Sequence, residues 1–168
     1  MRALVFAAAL SLSGCWEGPL FYSASDVVRP LEPGQYELSA PDEAPSRVPV
    51  TIAADGMTRI DDDRMGFVPA DPDAGTFIMW GEPETPEEQA HVQYLVLQRR
   101  SEREYRLFIP QCEGEERQIA LAAGGQLVEE GNTPMCRFRT REALEQAVRN
   151  LRLDTMTSAT MVRIADGP

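Results

Sequence analysis

Val92-Gln93-Tyr94-Leu95-Val96-Leu97-Gln98, followed after the polar run Arg99–Arg103 by Glu104-Tyr105-Arg106-Leu107-Phe108-Ile109, decides the fold class of this chain. Val92, Tyr94 and Val96 alternate with Gln93, Leu95 and Leu97, so apolar side chains go to both faces. A strand buried on both sides reads this way. On the return, Tyr105, Leu107 and Ile109 share one face, and Pro110 ends the ladder. The pair reads as an antiparallel hairpin at the centre of a sheet.

Upstream, Tyr36, Leu38 and Ala40 alternate with polar residues, as do Val48, Val50 and Ile52. Asp55-Gly56 is a hairpin turn signal, which makes Met57–Ile60 the return strand. Met65–Pro69 and Thr76–Trp80 pair around an Asp71–Gly75 loop. Thr85-Pro86-Glu87-Glu88 predicts one capped helical turn. Downstream, a short helix over Glu115–Ala123 ends at Gly124-Gly125. Gln126–Glu129 and Met135–Arg139 read as short strands. Thr140 caps a helix over Arg141–Leu151, where Leu144, Ala147, Val148 and Leu151 fall on one stripe. The tail Met161–Ile164 reads as an edge strand or a frayed end. The expected fold is α+β: an antiparallel β meander, a curled sheet, with the C-terminal helix packed on it.

The N-terminus carries an address. Arg2 precedes the apolar run Ala3–Leu10, a charged n-region and short h-region of a secretory signal. The run is too short to span a bilayer, which takes ~20 residues. It ends in Leu12-Ser13-Gly14-Cys15, which resembles the lipobox of bacterial lipoproteins. That resemblance implies diacylglyceryl transfer to the Cys15 sulfur, cleavage after Gly14 and acylation of the new amino terminus. The expected organisation is a signal peptide at 1–14, a lipidated tether and lead-in at 15–33, and a single domain at 34–168. Trp16 follows the cysteine where many enterobacterial lipoproteins held at the inner membrane have Asp. This implies an outer-membrane anchor with the domain facing the periplasm.

Charge narrows the partners. The chain has a formal net charge of -11, and its cations are all arginines, with no lysine. Such a chain repels phosphate backbones, which excludes nucleic acid as a partner. The expected partners are the membrane, reached through the lipid, and an envelope protein.

With Cys15 assigned to lipid, Cys112 and Cys136 remain. An even pair in an oxidising compartment reads as a disulfide, against a metal site or a redox pair. A metal site would call for further His or Cys, and the one histidine, His91, lies far back in the chain. A redox pair would usually be a CxxC, which is absent.

Nucleophile and nucleotide motifs are missing: no G-x-S-x-G, H-E-x-x-H, Walker A or G-x-G-x-x-G occurs. Asp61, Asp63 and Gly66 imitate the start of an EF-hand, but Met65 and Pro72 stand where ligands are needed. No catalytic residue, cofactor or metal is expected. Arg99, Arg100, Arg103 and Arg106 lie around one hairpin, and Arg137, Arg139 and Arg141 around the last short strand. Packed together they would form a basic face for a carboxylate or an acidic partner. The competing reading is internal pairing with the acids.

Tyr94–Leu151 is also similar to uncharacterised lipoproteins of Gram-negative bacteria. The shared parts are the aromatic hairpin Tyr105–Ile109, Pro110-Gln111-Cys112 and Cys136-Arg137-Phe138, with Pro33-Gly34-Gln35-Tyr36 upstream. The resemblance implies no activity. The expected function is a lipid-anchored, non-enzymatic binding or structural role in the envelope. The alternatives are a lipocalin-like carrier of an apolar ligand and a carboxylate-based envelope hydrolase.

Overall fold

The computed structural model describes residues 15–166; Leu12-Ser13-Gly14 and the signal before it lie outside the described residues. The chain is mostly β, with three helices among the described residues. The strands are β1 (Trp16–Gly18), β2 (Gly34–Ser39), β3 (Ser46–Ile52), β4 (Thr58–Ile60), β5 (Asp63–Asp71), β6 (Thr76–Gly81), β7 (Val92–Gln93), β8 (Leu95–Arg99), β9 (Glu104–Phe108), β10 (Gln126–Glu130), β11 (Thr133–Arg137) and β12 (Ala159–Asp166). The helices are α1 (Pro86–Ala90), α2 (Gly114–Ala122) and α3 (Arg141–Asn150).

The expected meander, a curled sheet, is instead a closed barrel of eight strands, in the order β12-β2-β3-β4-β5-β6-β8-β9. Closure comes from β12, the segment read as an edge strand or a frayed tail. It pairs antiparallel with β9 on one side and β2 on the other. Thus α3 is followed by a barrel strand and does not end the chain. Joining the two edges removes both exposed ladders. Alternation along one strand says nothing about which distant strand will meet it, so closure left no local mark.

A second sheet runs β10-β11-β1-β7, with β1 parallel to β11. It splits the expected strand Val92–Gln98. Val92 pairs with Gly18 in the small sheet, while Leu95 pairs with Met79 in the barrel. Tyr94 makes the break. Its N–H donates to the Trp16 carbonyl at 3.0 Å, and its hydroxyl donates to the Pro19 carbonyl at 2.6 Å.

Residues in the 15–33 lead-in pack against the rest of the chain. Trp16 is fully buried, edge-on to Phe138 at 5.2 Å. Asp26 accepts from the Ser23 N–H at 2.8 Å and from Arg141 on α3 at 3.0 Å. Further on, β4 covers only part of the nine-residue β5. Val28 takes up part of the edge left over, donating its N–H to the Phe67 carbonyl at 2.8 Å. Tyr36 and Tyr105 donate their hydroxyls to the carbonyls of Glu32 and Pro30, each at 2.9 Å. Leu31 joins the barrel interior. A lead-in with this many large apolar groups gains more by burial than by solvation.

Two cores result. Inside the barrel, Tyr36, Phe67, Met79, Leu97, Tyr105 and Leu107 fill the interior. Outside it, Val68, Ile78, Trp80, Val96 and Phe108 pack against Trp16, Phe138 and the Leu144–Ala147–Val148 stripe of α3. The Thr140 hydroxyl accepts the Ala143 N–H at 3.2 Å, as its N-cap role requires. Both faces of the hairpin strands are buried, one in each core.

Candidate functional site

Cys15 stands immediately before β1, at the edge of the small sheet. Its carbonyl accepts the Cys136 N–H at 3.3 Å, and it forms an antiparallel bridge with Gln111. Burial, with the Glu17 carboxylate beside it, pushes the Cys15 thiol pKa up. Cys112 and Cys136 are joined by a disulfide between Cα atoms 5.2 Å apart, both wholly buried in the outer core. The bridge ties the segment after β9 to β11.

Alternation along β1 puts Trp16 into the core and Glu17 on the opposite face. Glu17 is only 3% exposed. Arg137 opposes it across the β1–β11 pairing, and the guanidinium Nε donates to Glu17 Oε1 at 2.5 Å while reaching Glu130 as well. His91, at the C-cap of α1, brings Nδ1 to 3.9 Å from the same Glu17 oxygen. Glu17, His91 and Glu130 present one ligand atom each within 4.8 Å of one another. The Arg137 guanidinium already bridges the two carboxylates and opposes a cation, so the group is an ion-paired cluster.

The basic face anticipated from the sequence is divided. Arg137 is held in the cluster just described. Arg99 lies over the Phe77 ring at 5.8 Å. Arg103 is exposed in the β8–β9 turn, its carbonyl accepting the Arg163 N–H at 2.8 Å, and Arg139 is exposed between β11 and α3. Arg141 pairs with Asp26 and Glu145 and covers the Tyr22 ring at 4.7 Å. Arg100 and Arg106 do converge, on a flank cavity of about 340 Å³ that Arg149 also lines. Internal pairing thus claims Arg137 and Arg141, and the hairpin keeps two cations together. Sequence reasoning missed Glu17 and Arg149, because only the β1–β11 pairing and the α3–barrel packing give them neighbours.

A second cavity, about 490 Å³, opens at the barrel end where β6 leaves and β8 enters. Met65, Met79 and Leu95 reach it from the interior. Its rim carries Arg59, Asp62, Asp63, Glu84, Glu88 and an Arg64 that binds both Asp55 and Glu82. Glu116, whose pKa burial raises, accepts the Gln111 N–H and lines neither cavity.

No family model, curated protein or solved structure matches this chain. The geometry and the chemistry of its residues are what bear on function.

Proposed function

We propose that this chain is a lipid-anchored, periplasm-facing envelope protein, held at the outer membrane through acylated Cys15, with a non-enzymatic binding or structural role. One observation carries the reading. The lipobox cysteine stands immediately before β1, and its main-chain contacts with Gln111 and Cys136 remain in a chain that starts at Cys15. The lipid then joins the domain without a spacer, so the barrel is held close to the bilayer and does not reach far into the periplasm. Two or three acyl chains on one residue make that attachment long-lived. The Cys15 side chain is buried in the described fold, so acylation precedes completion of the fold and the lipid-bearing sulfur turns outward.

The test is labelled-palmitate incorporation with fractionation of Cys15→Ser. The wild type is expected to take label and sediment with membranes, and Cys15→Ser to take none and become soluble. Membrane retention of Cys15→Ser, or an unlabelled wild type, sinks the reading.

The closed eight-strand barrel favours a second reading, a carrier of an apolar ligand. Its interior is occupied by Tyr36, Phe67, Leu97 and Tyr105, so such a ligand would sit at the mouth on Met65, Met79 and Leu95. Quenching of a bound fluorescent fatty acid, lost in Met79→Glu, tests it.

A further inference from the structure

The outer face of β6, β8 and β9 changes character along one line. Ile78, Val96 and Phe108 form a cross-strand row buried in the same core as α3. Two residues along each strand the row becomes Thr76, Gln98 and Arg106, opposed to one another in the same register. This polar row is one wall of the flank cavity, and Val148, Leu151 and Leu153, at and beyond the end of α3, are another. Arg100 and Arg149 complete the lining.

Three guanidinium groups elsewhere are each held by two carboxylates: Arg64 by Asp55 and Glu82, Arg137 by Glu17 and Glu130, and Arg141 by Asp26 and Glu145. Among the described residues no acid lies within ion-pair distance of Arg100 or Arg106. Arg100 donates to Gln98 at 3.3 Å, and Arg149 reaches only Glu145, at 3.9 Å. Three cations and two acids, Asp71 and Asp154, thus line one cavity, and of the cations only Arg149 has an ion pair.

We propose that this cavity is an anion site for a small molecule carrying a carboxylate or phosphate on a short apolar body. The guanidinium forks of Arg100 and Arg106 hold the oxyanion, with Gln98 and Thr76 as further polar contacts. Leu151 and Leu153 face the apolar part. A cavity of about 340 Å³ is of the size that holds a small metabolite. Asp71 and Asp154 also line it, so a second negative charge on the ligand is disfavoured. The site does not depend on the lipid anchor.

Calorimetric titration of the full chain in non-ionic detergent with hexanoate, hexyl phosphate, inorganic phosphate and hexylamine tests the proposal. Hexanoate or hexyl phosphate is expected to bind saturably, and hexylamine, with the same body and opposite charge, is not. The tighter of the two anions identifies the head group. Loss of a charged hydrogen bond in Arg100→Gln or Arg106→Gln weakens binding by about tenfold or more, while Arg103→Gln, outside the cavity, leaves it unchanged. Arg100 is exposed, so its variant is the one expected to fold normally. Equal binding of hexylamine, no saturable binding of either hexyl anion, or a folded Arg100→Gln that binds like wild type overturns the proposal. Inorganic phosphate binding as tightly as hexyl phosphate overturns the apolar contact.

Discussion

Gly66 faces Trp80 across the β5–β6 ladder, and the indole fills the volume that a side chain at position 66 would take. A Cβ on Gly66 would fall 2.2 Å from a ring carbon. The ring cannot simply retreat, because it is buried and stacked on Tyr22 at 5.0 Å. Gly→Ala in an ordinary strand slightly stabilises a chain by restricting its unfolded state. Here overpacking reverses the sign, and Gly66→Ala is expected to lose ~2 kcal/mol in urea unfolding. Gly81→Ala is the control, since a Cβ there meets nothing within 4 Å. Equal stability of the two variants would refute the argument.

Arg137 carries a different load. It neutralises Glu17, a carboxylate that is nearly fully buried. Removing one partner of such a pair strands the other charge, at a cost of about 3–5 kcal/mol. Arg137→Ala is therefore expected to destabilise strongly, and adding Glu17→Gln to recover much of the loss. A double-mutant cycle by thermal unfolding measures this, and additive losses would count against it.

The parts legible in the sequence were local ones. Alternation at Tyr36–Leu38 and Val48–Ile52, the Asp55-Gly56 turn and the Thr140 cap each act within a few residues, and each appears where expected. The missing parts are pairings between distant segments: β12 with β9 and β2, β1 with β11, and the break at Tyr94 that sends one run into two sheets. The same limit applies to the flank cavity. Arg100 and Arg106 are neighbours on one hairpin, so they stood out. Gln98 lies on the same hairpin, whereas Thr76 joins them only through the β6–β8 pairing and Arg149 only through the packing of α3. The Cys112–Cys136 bridge was legible because two cysteines admit one pairing once Cys15 is set aside.

That bridge closes a loop holding α2, β10 and most of β11. With a sequence separation of 24, the chain-entropy relation gives ~3.5 kcal/mol for the constraint. Cys112→Ala with Cys136→Ala is expected to lose about that much. The loss is expected to be local as well. Hydrogen exchange quickens first over residues 126–137, because β9, β12 and β2 close the barrel without help from the loop. Uniform loss of protection over both sheets would show that the small sheet and the barrel unfold as one unit.

All four tyrosines are buried, and each pKa is raised, in the first place by burial. Tyr36 is pushed up to about 12, with Tyr105 nearby adding to the effect of burial. The sign follows from proton linkage. Below the ordinary phenol value near 10, both folded and unfolded chains keep these protons, and stability does not respond to them. Between there and about 12 the unfolded chain releases phenolic protons while the folded chain retains them, so stability falls as pH rises. Tyr36 and Tyr105 also donate the hydrogen bonds that hold residues 30 and 32 against the barrel, and ionisation removes both donors. An alkaline titration is therefore expected to show tyrosinate absorbance rising together with loss of the near-ultraviolet circular dichroism. A smooth titration near 10 in protein that keeps its tertiary signal would mean that the phenols are open to solvent and the lead-in does not seal the barrel.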